Sequence, residues 1–165
     1  MSYSIYDASI PPLIHMIGSL SSILAKGEAH GGIDPGEARL APDMLPLKNQ
    51  VYIATDGAKG CGGRLAGVDI PKFEDVETSF ADLRSRCAKT IAFLKSLDKA
   101  KFAGAEGKQI VLKFPNSTME FNGADYVGNF VLPNVYFHIT TAYGILRNRG
   151  VALGKQDYLS GLKEG

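Results

Sequence analysis

Hydrophobic residues recur at helical spacing in four segments of the chain, and the first of these spans roughly residues 4–29. Its apolar residues fall on one stripe of a helix; they are Ile10, Leu13, Ile14, Ile17, Leu20 and Leu24. Pro11 and Pro12 are tolerated near a helix start and are costly deep inside a helix. We therefore expect the regular helix to begin near Ile10, or an earlier turn to be kinked there.

The second and third segments carry clean apolar seams, with steps of three and four residues. The second helix is expected from about residue 44 to 66, behind an N-cap at Asp43. The third is expected from about residue 75 to 97, with acidic residues at its start that complement the helix dipole. The seam residues are Leu47, Val51, Ala54, Ala58, Cys61 and Leu65 in the second helix, and Phe80, Leu83, Cys87, Ile91 and Leu94 in the third.

The pattern changes period at residues 108–121, where apolar and polar positions alternate on either side of a Pro-Asn-Ser turn at 115–117. Alternation around a turn predicts a short β-hairpin. Asn122 then supplies an N-cap for a last helix from about residue 123 to 149, in which Pro133 is expected to cause a kink. The apolar stripe of that helix comprises Val127, Val131, Val135, Ile139, Ala142 and Leu146.

Four amphipathic helices of about 20 residues predict an all-α fold, a four-helix bundle with the hairpin inserted before the last helix. The chain shows no internal repeat, low-complexity run or second domain, so we expect a single domain over residues 1–165. The tail beyond Gly150 has no clear period. It either folds back over the end of the bundle and closes a cleft, or packs as an ordinary C-terminus.

Composition narrows the classes of partner. The chain has 165 residues, with 18 Lys and Arg against 17 Asp and Glu, and this balance argues against a nucleic-acid-binding surface. No apolar run reaches the roughly 18 residues that span a bilayer, and the N-terminal stretch lacks the basic residues of a signal peptide. Two cysteines without a CxxC pair are typical of reduced, buried thiols. We expect a soluble cytoplasmic protein without a nucleic-acid or membrane partner.

A glycine-rich stretch at residues 57–63 invites comparison with a phosphate-binding loop. Such a loop ends in Gly-Lys-Ser/Thr before a helix, whereas here Lys59 is followed by Gly60 and the stretch lies inside a helical pattern. Close helix packing is therefore the preferred explanation. Cys61 and Cys87 lie on the inward stripes of their helices, which favours two small buried residues over a reactive nucleophile.

The three histidines differ in position. His30 lies in a glycine-rich connector and is expected to be exposed. His15 projects about 160° from the apolar stripe of the first helix, towards solvent or a partner subunit, taking 100° per residue. His138 lies about 45° from the stripe of the last helix by the same count, so it points inward or to the edge of the core. A buried, hydrogen-bonded histidine is the simpler interpretation, and a metal ligand is the alternative.

The segment 134–150, with sequence NVYFHITTAYGILRNRG, resembles the last-helix signature of the DinB/YfiT-like superfamily. That signature is His-x3-His, then Leu-Arg, then a glycine about three residues later. Residues 40–51, 64–71 and 154–159 also resemble an uncharacterised bacterial family within the superfamily. Together these stretches extend the resemblance over nearly the whole chain.

The resemblance implies an up-down-down-up four-helix bundle, often dimeric, with a divalent metal such as zinc or nickel held by three histidines. Some members use this metal to activate a low-molecular-weight thiol for transfer or isomerisation. Carried over position by position, the ligands fall on Gln50, Asn134 and His138. One imidazole is kept and two ligands are replaced by amides, which bind zinc poorly. The sequence thus predicts a degenerate metal site.

Three hypotheses of function follow. The first is a small-molecule-binding or otherwise non-catalytic bundle whose metal site has decayed, with these three residues forming a polar pocket. The alternative is a metal- or thiol-dependent transferase or isomerase with His138 as the surviving ligand. The third is a structural homodimer that uses the aromatic last helix and the His15 face as its interface. Whether the protein is an enzyme stays open at this stage.

Overall fold

The first helix, α1, runs without interruption from Ile5 to His30 in the computed structural model, which describes residues 3–161. Ser4 caps it: the Ser4 hydroxyl accepts from the Asp7 N–H at 3.3 Å, and the Asp7 carboxylate accepts from the Ser4 N–H at 3.1 Å. This capping box stabilises the first turns. The helix therefore begins before Ile10 and retains two prolines in its interior.

Both middle helices begin later than the sequence pattern predicts. Helix α2 spans Leu47–Ala66 behind Pro46, so the prediction of an N-cap at Asp43 is wrong. Helix α3 spans Phe80–Lys95 and is capped by Ser79, whose hydroxyl accepts from the Asp82 N–H at 3.1 Å. The acidic residues that precede α3 lie outside the helix and make other contacts, described below.

The predicted hairpin is present. Two 3₁₀ turns, Lys99–Phe102 and Ala105–Gly107, lead into strands β1, Gln109–Phe114, and β2, Ser117–Asn122. The strands pair antiparallel around a two-residue turn, and one face of β1 is buried against the bundle.

The last long helix, α4, comprises an α-helical turn at Gly123–Asp125, a π-helical segment at Tyr126–Val131 and an α-helix at Leu132–Asn148. Asn122 caps it as predicted, with its side-chain oxygen accepting from the Asp125 N–H at 2.8 Å. Proline lacks an N–H, and its ring crowds the carbonyl four residues earlier in a regular helix. The π-helical segment ends just before Pro133, so the expected distortion takes the form of a wider turn.

The predicted apolar seams form the core. Every seam residue of α2, α3 and α4 is buried, and so is the α1 stripe apart from the partly exposed Ile14. Helix α2 packs against α3 and α4, while α1 packs mainly against α3 and α4. Pairs between Gln50 and His138 and between Arg64 and Tyr126 show that α2 and α4 run antiparallel. The fold is therefore the expected all-α bundle with a hairpin insert.

A short helix, α5, spans Lys155–Leu159 and packs along α1. Helix α1 itself is long and apolar enough to cross a membrane by length and composition alone. More than half of its most apolar window is buried in the bundle, and core helices of soluble proteins pass the same test.

Candidate functional site

The centre of the site is a hydrogen bond between α2 and α4. His138 Nδ1 lies 2.7 Å from Gln50 Oε1, although the two residues are 88 positions apart in the chain. Gln50 is 2% exposed, and its Nε2 donates to the Leu45 carbonyl oxygen at 2.9 Å. A buried amide needs partners for both of its ends. Gln50 has them, and its side chain is therefore held in one orientation.

This orientation determines the tautomer of His138. The amide oxygen of Gln50 only accepts, so His138 Nδ1 carries the hydrogen and donates it. In the neutral imidazole, Nε2 is then left with a lone pair. The site thus holds an oriented acceptor that can take a hydrogen bond, remove a proton or bind a metal ion.

The surroundings of His138 are apolar. The ring is half-buried, and this burial lowers the pKa of His138 below its ordinary value of 6.5. The Phe137 ring packs edge-on against it with centroids 5.1 Å apart. Phe137 is 58% exposed and Leu45 is 50% exposed. The acceptor at His138 therefore lies beside the exposed apolar ring of Phe137, while the backbone of Leu45 is joined to the site through Gln50.

Asn134, the third predicted site residue, faces a different part of α2. Its Nδ2 lies 3.6 Å from the position that a Cβ on Gly57 would take, two helical turns along α2 from Gln50. No hydrogen bond joins Asn134 to Gln50 or His138 among the bonds of residues 3–161. Gln50 and His138 are thus brought together, while Asn134 lies one helical turn from His138 along α4.

The side chains that could act as metal ligands at this site do not fit a tightly held zinc or nickel ion. They comprise one imidazole and two amides, and the amide oxygen of Gln50 already accepts from His138. Within residues 3–161, no group of three or more His, Cys, Asp or Glu side chains is placed to hold a metal ion.

Sequence reasoning missed a second polar centre, around Arg86 of α3. Arg86 is 1% exposed. Its guanidinium contacts three carboxylates: Asp56 at 2.9 Å, Asp75 at 3.0 Å and Glu77 at 3.2 Å. The last two belong to the acidic stretch that the sequence analysis assigned to the helix dipole.

The Arg86 cluster stabilises the contact between α2 and the segment that precedes α3. The guanidinium also donates to the Thr55 hydroxyl at 2.8 Å and lies over the rings of Tyr52 and Phe73. Arginine suits such a site because its planar fork makes several hydrogen bonds and stacks on aromatic rings at once. These contacts fasten residues 73–77, which precede α3, to α2. The only sequence signal was the acidic stretch itself.

The other candidate residues of the sequence analysis are the two cysteines and two further histidines. Burial raises the pKa of Cys61 and of Cys87 to about 12, so neither thiol is an activated nucleophile, as predicted. His30 is exposed, as expected. His15 is exposed too, and its Nε2 lies 2.7 Å from the Leu159 carbonyl oxygen. The C-terminal segment therefore lies against α1.

The glycine-rich stretch is part of α2, as the packing interpretation predicts. A Cβ on Gly62 would lie 2.6 Å from Leu97 Cδ1, and one on Gly57 would lie 3.2 Å from Val135 Cγ2. These glycines let α2 approach its neighbours closely, and the stretch is not a phosphate-binding loop.

The environment of His138 leads to a pH prediction. Because the folded pKa is below 6.5, the unfolded chain binds the proton more readily, so this residue removes stability as the pH falls below about 6.5. The loss levels off below the folded pKa. We expect NMR titration of the ring to give a pKa under 6.5 and ¹⁵N shifts of an Nδ1–H tautomer. In Gln50→Leu the tautomer preference should disappear; its persistence would contradict the assigned hydrogen bond.

Comparisons with known proteins identify the family and the fold. Residues 5–159 match the family described as a domain of unknown function, DUF1993. Among solved structures, the chain is similar to a crystal structure of a DinB family member from Shewanella denitrificans, at 39% identity and a TM-score of 0.83. The match covers 93% of this chain and 90% of that one. No curated protein matches the chain. The chain therefore belongs to the DUF1993 family of domains of unknown function and has the fold of the DinB-like superfamily.

Proposed function

We propose that this protein is a ligand-binding member of the DinB-like superfamily that works without a bound metal ion, at the α2–α4 seam. The observation that carries the proposal is the Gln50–His138 hydrogen bond of 2.7 Å. Through this hydrogen bond Gln50 holds the imidazole in one orientation. Its amide oxygen is occupied by His138 and therefore does not act as a metal ligand beside it. The ligand we infer is a small organic molecule that donates a hydrogen bond to His138 Nε2.

The apolar surroundings define the rest of the ligand. Phe137 exposes a large apolar ring next to the imidazole, and burial favours its neutral form near pH 7. A hydroxyl or N–H donor attached to an apolar group would satisfy both features. A proton-transfer reaction would use the same lone pair, so binding and weak general-base catalysis share one geometry.

The competing function is a metal- or thiol-dependent transferase or isomerase, and metal content distinguishes the two. We expect plasma mass spectrometry on untagged protein, after exposure to zinc, nickel, manganese and iron, to find far less than one metal per chain. His138→Ala should give the same low value. About one equivalent in the wild type, lost in the variant, would match a site with protein ligands and would overturn the metal-free proposal.

A homodimer remains part of the proposal as an assembly rather than as the function. Phe137 on α4 is exposed, and large exposed apolar side chains are typical of interfaces. The His15 face, the other surface in the original hypothesis, already contacts the C-terminal segment. Sedimentation equilibrium of the wild type and of Phe137→Ser measures whether two chains associate through the α4 face. Equal masses of one chain for both proteins would contradict the homodimer.

A further inference from the structure

A cavity of about 270 Å³ lies between α2, α4 and the hairpin, one helical turn along α4 from His138. Part of its wall is apolar, and Ile53, Phe114 and Phe130 belong to that part. Arg64, Tyr126 and Asn134 contribute polar groups. A buried cavity of about 150 Å³ is enough to bind benzene. This one therefore has room for an aromatic ring and a small polar substituent.

Arg64 supplies a positive charge at one end of the cavity. It is half-buried, and its Nη1 donates to the Tyr126 hydroxyl at 3.0 Å. Among residues 3–161 no carboxylate lies within 4 Å of its guanidinium. The guanidinium lies against α2 at Gly60, where a Cβ would collide with it. A half-buried arginine whose side-chain partner is a neutral phenol keeps several N–H groups for an anion.

Tyr126 adds a second donor at the same end. It is 1% exposed, and its hydroxyl accepts from Arg64 while its own hydrogen has no acceptor within the described part of the chain. Burial raises the pKa of Tyr126 to about 12, so the phenol remains a neutral donor near pH 7. Two adjacent donors, one of them charged, match the two oxygens of a carboxylate.

The other charges of the cavity are compatible with an anion at Arg64. Asp56 lies two turns away along α2, about 12 Å at 1.5 Å per residue. Its carboxylate is neutralised by Lys59 and Arg86, each at 2.9 Å. Lys113 on β1 adds an exposed positive charge to the wall. The charge that a ligand meets beside Arg64 is therefore positive.

The apolar wall suits a flat group. Phe130 stacks on Tyr126 with ring centroids 6.1 Å apart and contacts Phe114 at 6.5 Å. The π-helical segment carries Tyr126 and Phe130, and such segments are frequent at functional sites. Aromatic rings prefer offset or edge-on partners at these distances.

We infer that this cavity binds a small aromatic carboxylate, whose carboxylate accepts from Arg64 and Tyr126 while its ring packs against Phe114 and Phe130. This inference goes beyond the proposed function, because neither Arg64 nor Tyr126 contacts the Gln50–His138 pair.

The test is an NMR titration of the full chain with benzoate, using benzamide as the neutral molecule of the same shape. We expect saturable shifts at the Gly57 and Gly60 amides with benzoate, and roughly tenfold weaker binding of benzamide. Arg64→Gln should weaken benzoate binding by roughly tenfold or more. Arg64→Lys should restore part of it, because lysine keeps the charge but loses the planar fork.

Two further variants make the result decisive. Arg84→Gln removes an exposed arginine of α3 that pairs with Glu28, and it should bind benzoate like the wild type. Tyr126→Phe removes only the hydroxyl and should weaken benzoate severalfold, which keeps the test available if Arg64→Gln fails to fold by far-UV circular dichroism. The proposal is overturned if benzoate produces no saturable shifts, if benzamide binds as tightly, or if a folded Arg64→Gln or Tyr126→Phe retains full affinity.

Discussion

Replacing Arg86 with alanine is expected to lower the free energy of unfolding by about 3 kcal/mol, because removing one member of a buried ion pair leaves its partners without compensation. Glu77 is the most buried of the three carboxylates, with its side chain 13% exposed, and it loses its ion pair. The Thr55 hydroxyl loses its donor, and the rings of Tyr52 and Phe73 lose the plane on which they pack. Urea unfolding with an unchanged m value measures the effect.

Two variants separate the buried cluster from a generic loss of charge. Arg84→Ala removes an arginine from the same helix whose side chain is 44% exposed, and an exposed pair of this kind contributes at most about 1 kcal/mol. Arg86→Lys should recover only part of the stability, since an ammonium cannot make the same set of hydrogen bonds or stack equally on both rings. Equal losses in Arg84→Ala and Arg86→Ala would show that the cluster contributes nothing specific.

The helices and their buried faces could be predicted because each packs one apolar stripe against the others. The seam from Leu47 to Leu65 has a 3.6-residue period, and all of its residues are buried. The helix starts were less predictable, because local and distant partners compete for the same residues. Ser79 and Asp82 begin α3 through a local capping box, while Asp75 contacts Arg86 instead of the helix end. Only the folded chain shows which partner is chosen.

The candidate site, like the fold, has a part that the sequence predicts and a part that only the folded chain shows. His138 was placed at the edge of the core by counting residues around a helix, and Gln50 was paired with it through the family resemblance. Their contact depends on the antiparallel register of α2 and α4, which no local pattern contains. The position of Asn134 opposite Gly57, and the hydrogen bond between Arg64 and Tyr126, depend on the same register and on the wider turn before Pro133. Residues that act through packing between distant helices were therefore beyond the sequence pattern.

Replacing Gly123 with alanine is expected to destabilise the protein by about 3 kcal/mol, although alanine is the better helix former by about 1 kcal/mol. Gly123 begins α4, and a Cβ there would overlap the carbonyl oxygen of Ala105 and lie 2.9 Å from its carbonyl carbon. Backbone atoms cannot rotate aside as a side chain can. That carbonyl also accepts from the Lys108 N–H at 3.2 Å, so moving it disturbs the turn that leads into the hairpin.

Gly128→Ala is the matched control, because it lies in the same helix, also lacks a positive φ, and has open space where the Cβ would go. There the change should be neutral or raise the free energy of unfolding by up to about 1 kcal/mol. Urea unfolding of both variants compares the two sites directly. If Gly123→Ala were as stable as Gly128→Ala, the close approach between the start of α4 and the turn at Ala105 would be wrong. The position of the hairpin over the Arg64 cavity would then have to be revised as well.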